Sequence, residues 1–226
     1  LVYVVFPALF FGALLASNTR GAWLALIVVG LISLYFVRFK AVRKGYLVVL
    51  GSFFLVFVTM NFLSESKIKQ RTKTIKRELN IDNEWAGSGR ALIWKMSFDI
   101  IKEHPFFGAG PENLKEALRQ TKNKRSFAYG KLTGHTVDKA HNEPLHIAAV
   151  SGLPAFFFYL LFIALIFIQN TRNILQMTAK SVISFAILAY FIQSLFNISV
   201  IAVAPLFWIL LGLLAGNKNK LALYED

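Results

Sequence analysis

The chain has 226 residues, no cysteine, 56% hydrophobic and 16% charged residues, and a formal net charge of +13. Globular proteins average roughly 45–50% apolar and about 25% charged residues, so the composition excludes a disordered chain, which is apolar-poor, and the mean hydropathy of +0.54 is too high for a soluble domain of this size. The lack of cysteine excludes a disulfide scaffold and a Cys-ligated zinc or iron–sulfur site. The class that remains is an integral membrane protein. The chain is apolar from Leu1 and shows neither the charged n-region nor the small-residue cleavage site of a signal peptide. It is therefore expected to be the C-terminal part of a longer protein, already inside a membrane helix at its first residue.

A hydrocarbon core of about 30 Å needs roughly 20 apolar residues in helix. Leu1–Ala16 is apolar and is broken by Ser17-Asn18-Thr19-Arg20. Ala22–Val37 follows, closed by a connection, Arg38–Gly45, that carries Arg38, Lys40, Arg43 and Lys44. Tyr46–Leu63 is the third span and leads into a long polar stretch, Ser64–Glu143. Apolar character returns over Ile147–Ile168, and Gln169–Lys180 is a short polar connection. Val182–Ala215 would extend about 51 Å as one helix, too long for a single crossing. The polar residues Gln193, Ser194, Asn197 and Ser199, and then Pro205, predict two short helices joined near Asn197–Pro205.

The expected fold class is all-α, a polytopic transmembrane bundle with a large, partly helical external loop. Residues 1–63 supply three spans, 64–145 the external region, 146–216 three further spans and 217–226 a cytoplasmic tail. Short loops set orientation through their Lys and Arg content. Eight basic residues occupy connections of one parity (Arg38–Gly45, Gln169–Lys180 and the tail), against Arg20 alone in the other. The first set is expected in the cytoplasm, which puts the long segment outside.

That segment holds 16 of the 25 basic and 10 of the 12 acidic residues, and three of the four histidines. Its run Lys67, Lys69, Arg71, Lys73, Lys76, Arg77 is either a solvated helix face at the membrane surface or an attractor of lipid and substrate phosphates. Gly87-Ser88-Gly89 predicts a turn, and the spacing of Arg90, Ile93, Trp94, Ser97, Phe98 and Ile101 predicts an amphipathic helix over Arg90–Glu103. His104-Pro105 ends it, Phe106–Pro111 is a turn-rich loop, and Glu112–Gln120 is a second short helix. Lys122–Lys139 is expected to be irregular. Stock motifs are missing: Gly108 and Gly110 start a G-x-G that position 113, an Asn, does not continue, and there is no Walker A, H-E-x-x-H or G-x-S-x-G. His135, His141, His146 and Glu143 lack helical i, i+4 spacing, so neither a metal nor any other cofactor is expected, and nothing points to nucleic acid.

Three pieces recur together in this order. They are a helix ending in Ser17-Asn18-Thr19-Arg20-Gly21; Gly89-Arg90, Trp94, His104-Pro105, Phe107-Gly108 and Gly110-Pro111; and Ala140-His141-Asn142-Glu143 with Leu145 and Gly152 entering a membrane helix. With a large external loop between adjacent helices, the set resembles the O-antigen ligase/polymerase family, bacterial membrane glycosyltransferases that move glycans from undecaprenyl diphosphate. Gln193, Asn197, Phe207-Trp208 and Gly212 resemble that family's C-terminal end. The ligases often show a second His two positions before the matching one, and this chain has Lys139 there. The resemblance implies a lipid-linked glycan donor, a lipid, glycan or wall-polymer acceptor, contact with membrane lipids, and a site facing the periplasm or cell exterior from the cytoplasmic membrane, in lipopolysaccharide or other envelope polysaccharide assembly.

The chemistry has its own logic. Cleaving a glycosyl–diphosphate bond puts negative charge on the leaving diphosphate. In the absence of a metal, Arg suits that charge because its planar fork pairs bidentately with phosphate oxygens. Arg20 and Arg90 are the expected diphosphate ligands, and Arg90 at a helix start is the more telling because a cation there opposes the helix dipole. An acceptor hydroxyl needs a base, and His titrates nearest neutral pH. His141, where the loop re-enters the membrane, is the expected base, with Asn142 and Glu143 orienting or polarising it. His104 and His146 are expected in structural roles, and Trp85 and Trp94 as interfacial anchors or sugar-stacking surfaces. The rival expectation is a transporter or a non-catalytic scaffold. A transporter would carry ionisable residues within its spans, and none of the proposed spans holds Asp, Glu, Lys or Arg.

The charge bias makes a topology prediction. Single cysteines at Val42 and Asn123 of this cysteine-free chain should differ in intact cells, with an impermeant thiol reagent labelling position 123 and missing 42. The reverse pattern overturns the orientation.

Overall fold

The computed structural model describes residues 2–17, 19–35, 40–63, 89–175 and 179–216. The basic run Lys67–Arg77, Trp85, Gly87-Ser88, Asn18, Arg38 and the tail lie outside these residues. Among the described residues every regular element is an α-helix, in agreement with the all-α expectation. Two helices, Arg43–Phe62 and Glu143–Leu175, are long and apolar enough to cross a membrane, and four shorter helices are predominantly apolar. The chain divides into two compact units, Leu1–Met96 and Ser97–Asp226.

The first unit holds α1 (Val2–Ala16), α2 (Arg20–Leu34) and α3 (Lys40–Leu63). The expected connection Arg38–Gly45 is shorter than its charges suggest, because helix already begins at Lys40. Lysine and arginine are good helix formers, so a basic cluster does not mark a helix boundary. α1 packs chiefly on α3 and only lightly on α2. Phe11 stacks on Phe53 with ring centroids 4.4 Å apart, and Gly12 leaves room for Val56 and Met60. The α1–α2 corner is fastened by Trp23, whose Nε1 donates to the Leu14 carbonyl at 3.1 Å, one of the carbonyls a helix end leaves unpaired. Tyr46 joins α3 to α2 by donating to the Gly30 carbonyl at 3.1 Å. The outward faces are large and apolar, with Phe10 71% and Phe62 86% exposed, as expected of helices that are apolar all round.

Helix α4 (Arg90–Glu103) has the predicted bounds and runs from the first unit into the second. Its buried residues Leu92, Ile93, Met96, Ser97 and Ile100 recur at helical spacing, the amphipathic pattern read from the sequence. Two short helices follow, α5 (Leu114–Gln120) and α6 (Lys124–Thr133). α6 corrects the expectation that Lys122–Lys139 is irregular. Asn123 caps it, its Oδ1 accepting from the backbone N–H groups of Arg125 at 3.0 Å and Ser126 at 3.1 Å. Gly134 closes it in the left-handed conformation at φ 72°. These are ordinary start and stop signals, hidden in a stretch whose polarity suggested a loop. Asp99 of α4 holds the start of α6 by accepting from Asn123 Nδ2 at 3.0 Å and Arg125 at 2.7 Å.

Helix α7 (Glu143–Leu175) starts before the predicted Ile147 and continues through Gln169–Leu175, where a connection was expected. α8 (Ala179–Ser194) and α9 (Ala204–Ala215) are separate helices. The last apolar run is therefore split where its polar residues and Pro205 predicted. The three helices enclose a core of Ile163, Ile166, Ile187, Phe207, Leu211 and Leu214, with Tyr190 stacked on Phe207 at 4.6 Å. At one end of this trio Lys180 Nζ donates to Asn170 Oδ1 at 3.2 Å and to the carbonyls of Leu214 and Gly216 at 3.1 and 2.8 Å. A lysine on the open carbonyls of a helix C-terminus both satisfies them and complements the dipole.

α7 is bent at Gly152, whose backbone is non-helical at φ 89° and ψ 168°. Two residues on, Pro154 has no N–H, so the Val150 carbonyl has no intrahelical donor. The loop after α4 supplies one. Gly110 N donates to Val150 O and Ala109 N to Ala149 O, both at 2.9 Å, while Leu153 N turns outward to Pro105 O at 2.8 Å. The backbones touch so closely that a Cβ on Gly152 would lie 2.1 Å from Phe106 O, and one on Gly108 2.3 Å from the Val150 carbonyl carbon.

This contact predicts an ordering of glycine variants. Gly134→Ala has open space around its Cβ at φ 72° and should cost about 1–2 kcal/mol for the left-handed backbone alone. Gly108→Ala and Gly152→Ala add overpacking against backbone, for roughly 2–5 kcal/mol in all. Thermal unfolding of the purified variants should rank them in that order, and equal midpoints would refute the contact.

Candidate active site at the entrance to the long helix

The residues expected to carry chemistry fall in both units. Arg20 is the first residue of α2, after Thr19, whose side chain makes no capping bond. Arg90 is the first residue of α4, behind the buried Gly89 at φ 81°. Both arginines are half-buried, and burial lowers the Arg90 pKa from its usual value. A guanidinium stays charged regardless, so a partly desolvated cation sits at a helix N-terminus, where the dipole also disfavours it. An anion relieves both costs.

His141, Asn142 and Glu143 belong to the second unit and lie together at the start of α7. Asn142 is its cap, with Oδ1 accepting from Leu145 N at 3.0 Å and the backbone carbonyl accepting from His146 N at 2.8 Å. Asn142 thus fixes the helix start, a structural task beside the supporting role expected of it. Glu143 Oε2 accepts from Ser199 N at 3.1 Å, which ties the head of α7 to the connection between α8 and α9. There Tyr190 and Ser199 hydroxyls meet at 3.3 Å, and Asn197 Oδ1 accepts from Ile198 N at 3.0 Å. Of the polar residues that split the last apolar run, Ser199 meets the carboxylate expected near the base, through its backbone N–H.

His141 itself is half-buried and has φ 51°. A non-glycine residue in the left-handed region is uncommon, and such strain persists only where the surroundings enforce it. Glu112, at φ 56°, shares the feature and is joined to the same segment by its ion pair with Lys139. The hydrogen bond from Lys139, reinforced by its charge, holds the fully exposed Glu112 carboxyl below the usual carboxylate range. Lys139 and Glu112 also lie within electrostatic reach of Glu143 and His146. His146 Nδ1 is buried without a hydrogen-bond partner among the described residues.

Reasoning from sequence missed the Glu112–Lys139 pair. Lys139 stood out only as a departure from a second histidine, and 27 residues separate it from Glu112. His146 differs from its expected packing role in that it carries an unmet polar atom. His104 follows the last residue of α4 as expected, with its backbone N–H on the Ile100 carbonyl at 2.9 Å.

Among the described residues every regular element is helical, two helices are long and apolar enough to cross a membrane, and polar groups gather at the entrance of one of them. The chain belongs to the O-antigen ligase family, whose family model, O-Antigen ligase, matches residues 5–160. No curated protein matches it. The matched stretch contains Arg20, Arg90, His141, Asn142 and Glu143. Family members are bacterial inner-membrane proteins, ligases or polymerases of glycosyltransferase type, and act with lipid-linked glycans and polysaccharide acceptors.

The cap yields a stability prediction. Asn142→Ala should lower unfolding stability by about 1 kcal/mol, and Asn142→Ser should recover most of it. Denaturation of the two variants side by side checks this, and equal stability of Ala and Ser variants argues against the cap.

Proposed function

We propose that this protein is a polytopic membrane glycosyltransferase that transfers a glycan from undecaprenyl diphosphate to an acceptor hydroxyl at the outer face of the cytoplasmic membrane. The reading rests on family membership and is carried by one observation above all: the strained backbone of His141 at the capped head of α7. A histidine held out of its relaxed conformation beside a helix start is suited to a task that needs a fixed imidazole.

The proposed roles follow from charge. As the anomeric carbon–oxygen bond to the diphosphate breaks, the electron pair leaves with that oxygen. The guanidinium groups of Arg20 and Arg90 stabilise the charge through bidentate hydrogen bonds. His141 accepts the proton of the acceptor hydroxyl as its oxygen bonds to the anomeric carbon. Asn142 holds the helix start under His141, and Glu143, braced by Ser199, sets the local field. Two arginines carry the leaving-group charge without a metal.

Turnover by the purified full-length protein with a lipid-diphosphate donor tests these roles. Activity should survive EDTA. Arg90→Lys keeps the charge but loses the fork and should impair turnover strongly. His141→Ala should lower turnover by about 10²–10⁴-fold, the usual contribution of acid–base catalysis, and leave donor binding largely intact. Arg20→Ala should weaken donor binding, because its contact exists before the transition state. The assignment fails if His141→Ala turns over at the wild-type rate, or if chelation abolishes activity and Mg²⁺ or Mn²⁺ restores it.

A further inference from the structure

A cleft of about 920 Å³ opens between α5 and α6, bounded by Leu118, Phe127 and Val137 and far more apolar than polar on its walls. Lys115, Arg119, Lys122, Lys124 and Lys131 surround it, and none of its lining residues is acidic. Nearby carboxylates are engaged: Asp99 holds Arg125 at 2.7 Å, and Glu116 accepts from Gln120 at 3.3 Å and pairs with Arg119 at 3.9 Å. Among the described residues no carboxylate pairs with the four lysines. Phe127 is 77% exposed at the mouth.

An apolar trough ringed by lysines that pair with no carboxylate, and carrying an exposed aromatic residue, matches an amphiphilic anion, apolar along its length and negative at one end. In a membrane protein such molecules are lipids, and exposed aromatic residues beside lysines are the usual furniture of the lipid interface. Lysine is a compact, mobile point charge, whereas arginine supplies the fixed fork that suits a diphosphate. Four lysines to one arginine therefore fit the single charge of a phosphodiester headgroup better than a geometrically demanding diphosphate.

We propose that this cleft binds an anionic phospholipid of the surrounding leaflet, with an acyl chain against Leu118, Phe127 and Val137 and its phosphate among the rim lysines. The site is independent of the roles given to Arg20, Arg90 and His141, so it stands or falls separately from the proposed transfer reaction.

Lipid retention by the purified full-length protein, read by native mass spectrometry and by exchange of a fluorescent lipid, tests it. Phosphatidylglycerol should be retained in preference to phosphatidylcholine of the same acyl chains. A lysine near an anionic lipid contributes a factor of about five, so the double variant Lys122→Gln/Lys124→Gln should lower that preference by roughly 25-fold. Gly130 lines the cleft, and a Cβ there meets nothing closer than 3.6 Å. Gly130→Leu should narrow the trough and lower retention of the acyl chain with an unchanged or raised melting temperature, since leucine favours helix over glycine. Equal retention of the two phospholipids by the wild type, or wild-type retention by a folded Gly130→Leu protein, overturns the proposal. Displacement by inorganic phosphate alone would reduce the site to a simple anion patch, and displacement by polyprenyl phosphate at far lower concentration would give it to the donor lipid. Either result also overturns it.

Discussion

The head of α7 depends on a backbone-to-backbone contact that only glycine permits. Gly152 and Gly108 press against the main chain of the Phe106–Gly110 loop and of α7 respectively, where any Cβ would overlap carbonyl atoms. The bend at Gly152, with Pro154 beyond it, breaks the helical ladder, and Ala109 and Gly110 supply the replacement donors. A ladder broken next to a membrane span must be repaired by protein, because lipid offers no hydrogen bonds. The segment Glu143–Ser151 is thereby set at its own angle to the rest of α7, and with it the cap at Asn142 and the strained turn at His141.

The same demand explains the polar residues distributed through the apolar second unit. Lys180 closes the carbonyl end of α9 and reaches Asn170 on α7. Ser181 Oγ donates to the Asn173 and Ile174 carbonyls at the end of α7, at 3.0 and 3.1 Å. At the other end of the trio, Glu143 accepts from the backbone of the turn between α8 and α9. Lys180 and Ser181 answer carbonyls at or just beyond helix ends, and Glu143 answers a free N–H of the connecting turn. Side chains that resemble misplaced polarity in a hydropathy plot are, in the fold, the pins between helix ends.

Electrostatics divides the second unit into two kinds of surface. Around His141 the charges are mixed, with Lys139 paired to Glu112 and both within reach of Glu143 and His146. Along α5 and α6 the rim of the apolar cleft is cationic, and among the described residues its four lysines pair with no carboxylate. Mixed charge close to a titratable group tunes proton transfer, while a single-sign field recruits anions over a distance of about a Debye length. The first arrangement suits chemistry at one atom and the second suits attraction of a mobile ligand.

Much was determined by the sequence by itself. Apolar composition and run length showed a helical membrane protein, the Arg90–Glu103 periodicity defined α4, and Pro205 with its polar neighbours divided the last apolar run. The ordered motifs around Arg20, Arg90 and His141 led to the family, because local pattern and order along the chain are enough to show them. The tertiary structure alone decided which distant groups meet. Glu112 finds Lys139, Glu143 finds Ser199, Gly108 finds Val150 and Gly152 finds Phe106 across loops whose course no local preference sets. α6 was legible in its Asn123 and Gly134 caps, yet its polarity concealed it, since an exposed short helix and a loop share a composition. The strain at His141 was beyond the sequence altogether: a residue's φ is forced by what packs around it, and that packing exists only once the chain has folded.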